Sequence, residues 1–546
     1  MSKMNFAIYY VGDGYSTDKK IMGRQSAGKA LMKGVARRWK TDEIHGFGTG
    51  AGTSGQAMLK QLQGDGFTGA LRWREAPGDA VLEDLGAVYY PGPPTKDIVH
   101  ARNSRGPTSY SLFGVTHTLS SAGAMDMVSD LILPPFKPWD AMICTSSAAL
   151  SVVTRLQDDF KAWFSEHTGA TRFNSIALPV IPLGVDAPAF ARDDAQRDVA
   201  RKALGLAADE VAFLFAGRMS FHAKASPVVF YQALEEACQR LGKTLVCIEA
   251  GVYPNPPAAK AFEEARRFLA PSARFIQIDG QDETLYLQAW KSADVFVSLS
   301  DNIQETFGLT PLEAMAAGIP VLVSDWDGYK DTVRDGVDGY RIPVTLPPAG
   351  AGEDLALSHA LEHSNYDYYI GRVSMATAVD LGVLTDRVIV LAQDPELRRS
   401  LGSAGRARIQ ESYDWPVILG RYAALADDLG EIRRAAGPPH RAPWPARPDP
   451  FHLFADYPTH TLAGFWRVDV HPGRAKAVET FLEMGVVRYA LHAALLPRET
   501  ILEVLRAAEK GGNTVDTLLG AADAGRPLRT RALMWLYKLG LVALRP

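Results

Sequence analysis

The stretch Asp294-Val-Phe-Val-Ser-Leu-Ser300-Asp-Asn-Ile-Gln-Glu305-Thr-Phe-Gly-Leu-Thr310-Pro-Leu-Glu313-Ala-Met-Ala-Ala-Gly-Ile-Pro320-Val-Leu-Val-Ser324 decides the fold. It reads as strand, loop, helix, strand. Both apolar runs are continuous rather than alternating, so both faces of their sheet are covered, as in a parallel sheet wrapped by helices. Thr310 is the expected helix cap, with Pro311 at the first helical position. Glu305 falls on the loop and Glu313 in the first turn, so both carboxylates reach one cavity at the carboxyl edge of the sheet. The backbone amides of Phe307, Gly308, Leu309 and Thr310 lie between them, and free amides at a helix start form an anion site suited to a diphosphate. Acceptor-only carboxylates beside such a site pair well with the vicinal hydroxyls of a sugar or a ribose. Thr310-Pro-Leu-Glu313 also has the spacing of a capping box, a structural role for Glu313 that can coexist with binding.

Outward from this unit, Val211 to Gly217, Thr244 to Glu249 and Arg274 to Ile278 are further apolar runs separated by helical patterns. Towards the N-terminus, Asn5 to Val11, Ser109 to His117 and Ala141 to Thr145 read as strands of an earlier sheet. Ile181-Pro-Leu-Gly-Val-Asp186 punctuates the join as a hinge. Six prolines between Pro438 and Pro450 read as an extended linker. Helical periodicity over 475–496, 498–510 and 529–544 then implies a small helical C-terminal unit. Its last segment is expected to be an amphipathic helix, in preference to the final helix and wing of a winged-helix module. The expected fold class is therefore α/β, with an N-terminal Rossmann-like domain over 1–184, a second over 185–433, a linker over 434–450 and an accessory domain over 451–546.

These motifs resemble the retaining GT-B glycosyltransferases marked by E-x(7)-E (glycosyltransferase family 4, the group 1 glycosyl transferases). Leu183-Gly-Val-Asp186 resembles the interdomain turn of that family, and Ala212-Phe-Leu-Phe-Ala-Gly-Arg218 the first strand of its donor domain. Pro395-Glu-Leu-Arg through Glu411-Ser-Tyr-Asp-Trp415 is similar to its closing helices, the last of which crosses back to the N-terminal domain. The resemblance implies two Rossmann-like domains facing a cleft, the one over 1–184 on the acceptor side and the one over 185–433 holding the nucleotide-sugar donor, and transfer of a sugar from a nucleotide donor with retained configuration. It places Glu305 and His117 at the transferred sugar, Glu313 at the nucleotide ribose, and the Phe307-Gly308-Leu309 backbone at the phosphates. Arg218 and Lys224 match the cations on the diphosphate, and Gly23 and Arg24 the N-terminal loop facing it. Fixed cations stabilise a departing diphosphate directly, so neither a metal nor a cofactor is assigned.

Charge and cysteine content narrow the alternatives. With 58 Lys and Arg against 62 Asp and Glu the net charge is -4, so no field across the whole chain attracts nucleic acid, and any membrane association is expected to be peripheral. From Glu431 onward 16 basic residues face 11 acidic ones, so the tail is mildly basic and is read as a surface for a partner or for self-association. Three scattered cysteines give neither a disulfide framework nor a zinc site. No signal peptide or spanning segment is recognised, and the expectation is a soluble, cytoplasmic chain.

Three lookalikes compete with the transferase reading. Gly23-Arg-Gln-Ser-Ala-Gly28-Lys29-Ala30 has P-loop spacing but lacks the magnesium-holding hydroxyl, so a Gly-rich turn opening a helix over Ser26 to Arg38 is expected instead. Gly50-Ala-Gly52-Thr-Ser-Gly55, with Glu75 downstream, fits a dinucleotide fingerprint and raises an NAD-dependent dehydrogenase as an alternative. The polar Thr41 to Gly46 before it is expected to be a surface loop. Asp325-Trp326-Asp327 has D-x-D spacing and is assigned no metal. The remaining alternative is a non-catalytic protein that binds nucleotide sugars or acts as a scaffold.

Overall fold

A computed structural model describes residues 3–16, 23–48, 54–74, 80–438, 444–489, 491 and 495–546. The chain forms two compact units, Met1–Trp444 and Pro445–Pro546. The first contains two six-stranded parallel sheets. One is built from β1 (Ala7–Tyr9), β2 (Glu43–Phe47), β3 (Ala70–Arg74), β4 (Ala87–Tyr89), β5 (Ser111–Val115) and β6 (Ala141–Ile143), in the order β3-β2-β1-β4-β5-β6. The other comprises β7 (Ala212–Arg218), β8 (Val246–Val252), β9 (Arg274–Asp279), β10 (Val295–Ser298), β11 (Val321–Ser324) and β12 (Gly339–Ile342), in the order β12-β11-β10-β7-β8-β9. Strand order reverses beside the first strand of each sheet, the doubly wound arrangement that opens a crevice at the carboxyl ends of the strands. The two parallel-sheet domains of the GT-B expectation are present.

The central strands follow from their side chains. Phe213, Leu214, Ile248, Val295, Phe296, Val321 and Leu322 are fully buried, which is possible only between two helical layers. The helix Trp415–Ala435 of the second half packs on the first sheet: Arg433 donates to the carbonyls of Thr108 and Ser109 at 3.0 and 2.9 Å, and Asn5 donates to Ala423 at 2.9 Å. Arg37 holds Asp414 and Asp186 together, tying the start of that helix to the interdomain turn.

Several local expectations are corrected. Thr41 to Gly46 is not a surface loop. Glu43–Phe47 is the second strand from the edge of the first sheet, with Ile44 fully buried and Glu43 satisfied at the exposed end by Arg72 of the edge strand. The helix expected from Ser26 already begins at Gly23, so the glycines of the P-loop lookalike are helical. Gly28 lies so close to Gly14 that a Cβ would sit 2.1 Å from its carbonyl oxygen. Gly50, Gly52 and Glu75 of the dinucleotide fingerprint lie outside the described residues; Gly55 opens a helix capped by Ser54.

In the C-terminal unit, the segment expected as one helix from 529 to 544 is a helix, Arg526–Lys538, followed by a strand, Val542–Arg545. Gly540, at φ +67°, ends the helix, and the strand pairs antiparallel with Arg467–Val470. Short helices replace the long one expected from 475, while Arg498–Glu509 is helical. Val468, Ile501, Leu505, Leu533, Leu536 and Val542 share this unit's own core. Among the described residues no helix is long and apolar enough to cross a membrane.

Candidate functional site

The site is built on the loop between β10 and the helix Leu309–Ala316, at the carboxyl edge of the second sheet. Lys224, from the segment after β7, is ion-paired with Glu305, and both side chains keep only about a sixth of their surface in contact with solvent (17 % and 18 %). Arg218, at the end of β7, donates to Gln304 at 2.7 Å. The two cations therefore meet adjacent residues of one loop. Burial pushes the Glu305 carboxyl up, but Lys224 and the amides of Phe307 and Thr306 outweigh it, and its pKa falls below the ordinary value.

The loop is held from several sides. Gln304 N donates to the Asn302 side chain at 2.8 Å, and Trp326 Nε1 donates to the Asn302 carbonyl at 3.1 Å. Gly308 adopts φ +82°, and a Cβ there would lie 1.9 Å from the Tyr329 ring, so only glycine fits. Gly308, not Thr310, is the residue that caps the helix, which starts at Leu309 and makes no side-chain cap bond. The capping box therefore does not form: Glu313 sits beyond the third helical position, and the Thr310 hydroxyl is buried without a partner. Glycine's access to positive φ lets the helix begin two residues earlier than the Thr-Pro signal suggests. Glu313 is half-buried, and burial raises its pKa to about 7 despite the nearby Lys224.

The loop faces the carboxyl ends of β5 and β6. Ser146, just after β6, donates to the Thr306 carbonyl at 2.9 Å, and the Ser147 amide donates to Asp331 at 2.6 Å. His117, just after β5, has Nε2 2.8 Å from the Pro91 carbonyl; because a carbonyl only accepts, this nitrogen carries the proton. The next residue, Thr118, and Ser120 lie 3.0 and 2.8 Å from the Tyr366 hydroxyl, to which Gln304 donates at 3.3 Å. A chain of hydrogen bonds thus runs from Arg218 through Gln304 and Tyr366 to the residues beside His117. Gly23 is exposed at the start of its helix, and the side chain of Arg24 lies outside the described residues.

Gln304, Tyr366 and Asp327 were not singled out as binding residues by sequence. Asp327 has φ +38°, unusual for a residue with a Cβ. One carboxylate oxygen accepts from the Gly328 amide while Oδ2 is buried without a partner. Burial and Glu305 both push its pKa well up. The Asp-Gly dipeptide is a turn signal that pointed to this geometry. Among the described residues no group of three His, Cys, Asp or Glu is placed to hold a metal ion.

Residues 196–353, which include this loop and both cations, match the family described as glycosyl transferases group 1. Over these residues the chain is similar to the group 1 glycosyl transferases. It is 32 % identical over 292 residues to a D-inositol 3-phosphate glycosyltransferase of Geodermatophilus obscurus, covering 50 % of this chain and 52 % of that one. It is 28 % identical over 261 residues to a phosphatidyl-myo-inositol mannosyltransferase of Mycobacterium tuberculosis, covering 47 % and 56 %. The match spans about half the length of these curated relatives. A crystal structure of Anabaena HepE in complex with UDP is similar at 14 % identity and a TM-score of 0.46, over 78 % of this chain and 100 % of that one.

Proposed function

We propose that this chain is a group 1 glycosyl transferase that moves a sugar from a nucleotide-sugar donor to an acceptor, with retention at the anomeric carbon. The observation that carries the reading is the Lys224–Glu305 pair beside the Thr306–Leu309 backbone, facing the carboxyl ends of β5 and β6. In this reading Arg218, Lys224 and the loop amides take the diphosphate, Glu313 takes the ribose hydroxyls, and Glu305 lies against the sugar. Gly23, Arg24 and Thr310 belong to the phosphate side of the same site.

The step needs few groups. The bond from the anomeric carbon to the phosphate oxygen breaks with its electron pair going to the diphosphate, whose growing charge the two cations stabilise. The acceptor oxygen bonds to the same carbon from the same face, and its proton passes to the departing phosphate oxygen. Glu305, ionised because its pKa is held down, stabilises positive charge at the anomeric centre without bonding to it. In this reading His117 contacts the sugar from the opposite domain. The relatives' names make inositol and its phosphates the first acceptors to try.

The test is release of nucleoside diphosphate from a panel of UDP-, GDP- and ADP-sugars, with and without acceptors. One donor is expected to be turned over, and its nucleoside diphosphate to raise the melting temperature. Protection by a donor without any diphosphate release would make the chain a binding protein; protection by NAD alone would make it a dehydrogenase.

A further inference from the structure

Tyr366 joins the two sheet domains at the candidate site. Its hydroxyl lies 2.8 Å from Ser120 Oγ and 3.0 Å from Thr118 Oγ1, both on the segment after β5, and it accepts from Gln304 Nε2 at 3.3 Å. A phenolic oxygen offers one O–H and two lone pairs. Gln304 takes one lone pair, and the two hydroxyls of the first domain take the proton and the other lone pair, so the whole capacity is used. Thr118 and Ser120 are themselves 3.1 Å apart, which closes a ring of three hydroxyls.

The tyrosine is held in place by its own element. It opens the helix Tyr366–Met375, which Asn365 caps by accepting from the Tyr368 amide at 3.0 Å and which Ile370 anchors by complete burial. That helix lies against the segment between β7 and Lys224: a Cβ on Gly371 would stand 3.2 Å from His222 Cβ. Residues 366–375 fall outside the stretch that matches the family, 196–353.

Gln304 carries the connection to the donor side. Both ends of its amide are committed, Oε1 to Arg218 at 2.7 Å and Nε2 to Tyr366. A guanidinium has five N–H donors in one plane, and the exposed Arg218 spends only Nη2 on Gln304 among the described residues. A diphosphate can therefore take Arg218 without breaking the Gln304 bond. Arg218, Gln304, Tyr366 and the hydroxyls of Thr118 and Ser120 then run unbroken from the anion to the neighbour of His117.

We propose that Tyr366 is a positioning residue for the transfer: through Gln304 it fixes Arg218 for the diphosphate, and through Thr118 and Ser120 it holds the His117 segment of the first domain against the Glu305 loop. Binding free energies couple reciprocally, so a link that orders Arg218 for the diphosphate is tightened when the diphosphate binds. The diphosphate end of this chain rests on the transfer reading above; the bridge between the domains rests on its own hydrogen bonds.

The experiment uses the full chain and two variants. Tyr366→Phe keeps the ring and removes the bridging oxygen, and Ser120→Ala removes one of its partners in the first domain. Neither residue touches the diphosphate in this reading. Calorimetry gives the affinity for UDP, GDP and ADP of the wild type, both single variants and the double variant, with melting temperatures alongside. Each single variant should weaken binding of the nucleoside diphosphate that the wild type accepts by about two- to tenfold, the net worth of one hydrogen bond. The double variant should bind no more weakly than Tyr366→Phe alone, because both changes act through one link. A purely structural tyrosine would lower the melting temperature and leave affinity where it was. Unchanged affinity in Tyr366→Phe, or losses that add in the double variant, overturns the proposal. Should the wild type bind none of the three, the transfer reading falls and takes the diphosphate coupling with it. The melting temperatures of the four chains then decide the bridge alone, non-additive losses upholding it and additive losses overturning it.

Discussion

Two ion pairs in the first unit use similar chemistry to different ends. Arg102 and Asp140, in the first sheet domain, are both 0 % exposed, and every side-chain nitrogen and oxygen of the pair has a hydrogen-bond partner. Asp140 also accepts from the amides of Leu112 and Lys137 at 3.1 and 2.9 Å, while Arg102 donates to the Tyr110 carbonyl and the Asn103 side chain, each at 3.2 Å. Lys224 and Glu305 are joined as closely, but they keep a solvent-facing surface and sit among groups with unused capacity: the Thr310 hydroxyl and Oδ2 of Asp327 are buried without partners. A closed pair orders a core, whereas an open pair in an unsaturated setting is poised for a ligand to complete it.

Breaking the closed pair gives the largest effect. Asp140→Ala strands a buried guanidinium and two amides, and should cost about 3–5 kcal/mol. For a domain of this size that lowers the melting temperature by about 10 °C. Calorimetry of the full chain checks it; a shift of under 2 °C would show that water or rearrangement reaches Arg102 and that the pair is not closed.

Breaking the open pair should reverse the balance between stability and activity. Glu305→Gln keeps the shape and a hydrogen-bonding group beside Lys224, so stability should change by less than about 1 kcal/mol. Turnover should fall by about 10³, the usual consequence of removing one charge-stabilising group, while binding of nucleoside diphosphate persists. A variant that loses stability and retains turnover would make Lys224–Glu305 a second structural pair and remove the basis of the proposed chemistry.

The same contrast explains what could be read from sequence. Strands β7, β8, β10 and β11 are legible because each is a largely continuous apolar run buried on both faces, whereas β9, at the sheet edge, is only partly buried. Strands β2, β3 and β4 are not legible: Glu43, Arg72 and Arg74 are charged, and Ala87–Tyr89 is only three residues long, so pairing decides them rather than composition. The end of the C-terminal unit, Leu541 to Leu544, is apolar enough for helix or strand, and the partner Arg467–Val470 selects strand. In the site, Glu305, Glu313 and the loop amides follow from local order, because βαβ geometry sends every such loop to the carboxyl edge. Arg218, Lys224 and His117 came from family resemblance. Tyr366 was beyond reach: it is 62 residues from Gln304 and 246 from Ser120, and no periodicity connects positions so far apart. The helix start was misplaced because Thr-Pro is a strong local signal, while the close approach of Tyr329 that demands glycine at 308 is tertiary.

The smallest expected effect concerns Glu313, where the two carboxylates of the motif differ most in their titration. Glu305 has a lowered pKa, so its contribution to stability is present above the ordinary carboxylate range and lost as pH falls through it. Glu313 is the reverse. With its pKa raised to about 7, it keeps a proton in the folded chain between about pH 4.5 and 7, where the unfolded chain has lost it, so stability falls as pH rises through that window. Glu313→Gln should flatten that decline and stabilise the chain above pH 7 by on the order of 1 kcal/mol, since the group is half-buried and partly screened. If Glu313 accepts ribose hydroxyls, the ionised form is the better acceptor, and affinity for the free nucleoside, which brings no phosphate to titrate, should rise between pH 6 and 8. In the Gln variant that affinity should be flat. A parallel rise in both proteins would move the titration to another group and leave Glu313 with a structural role alone.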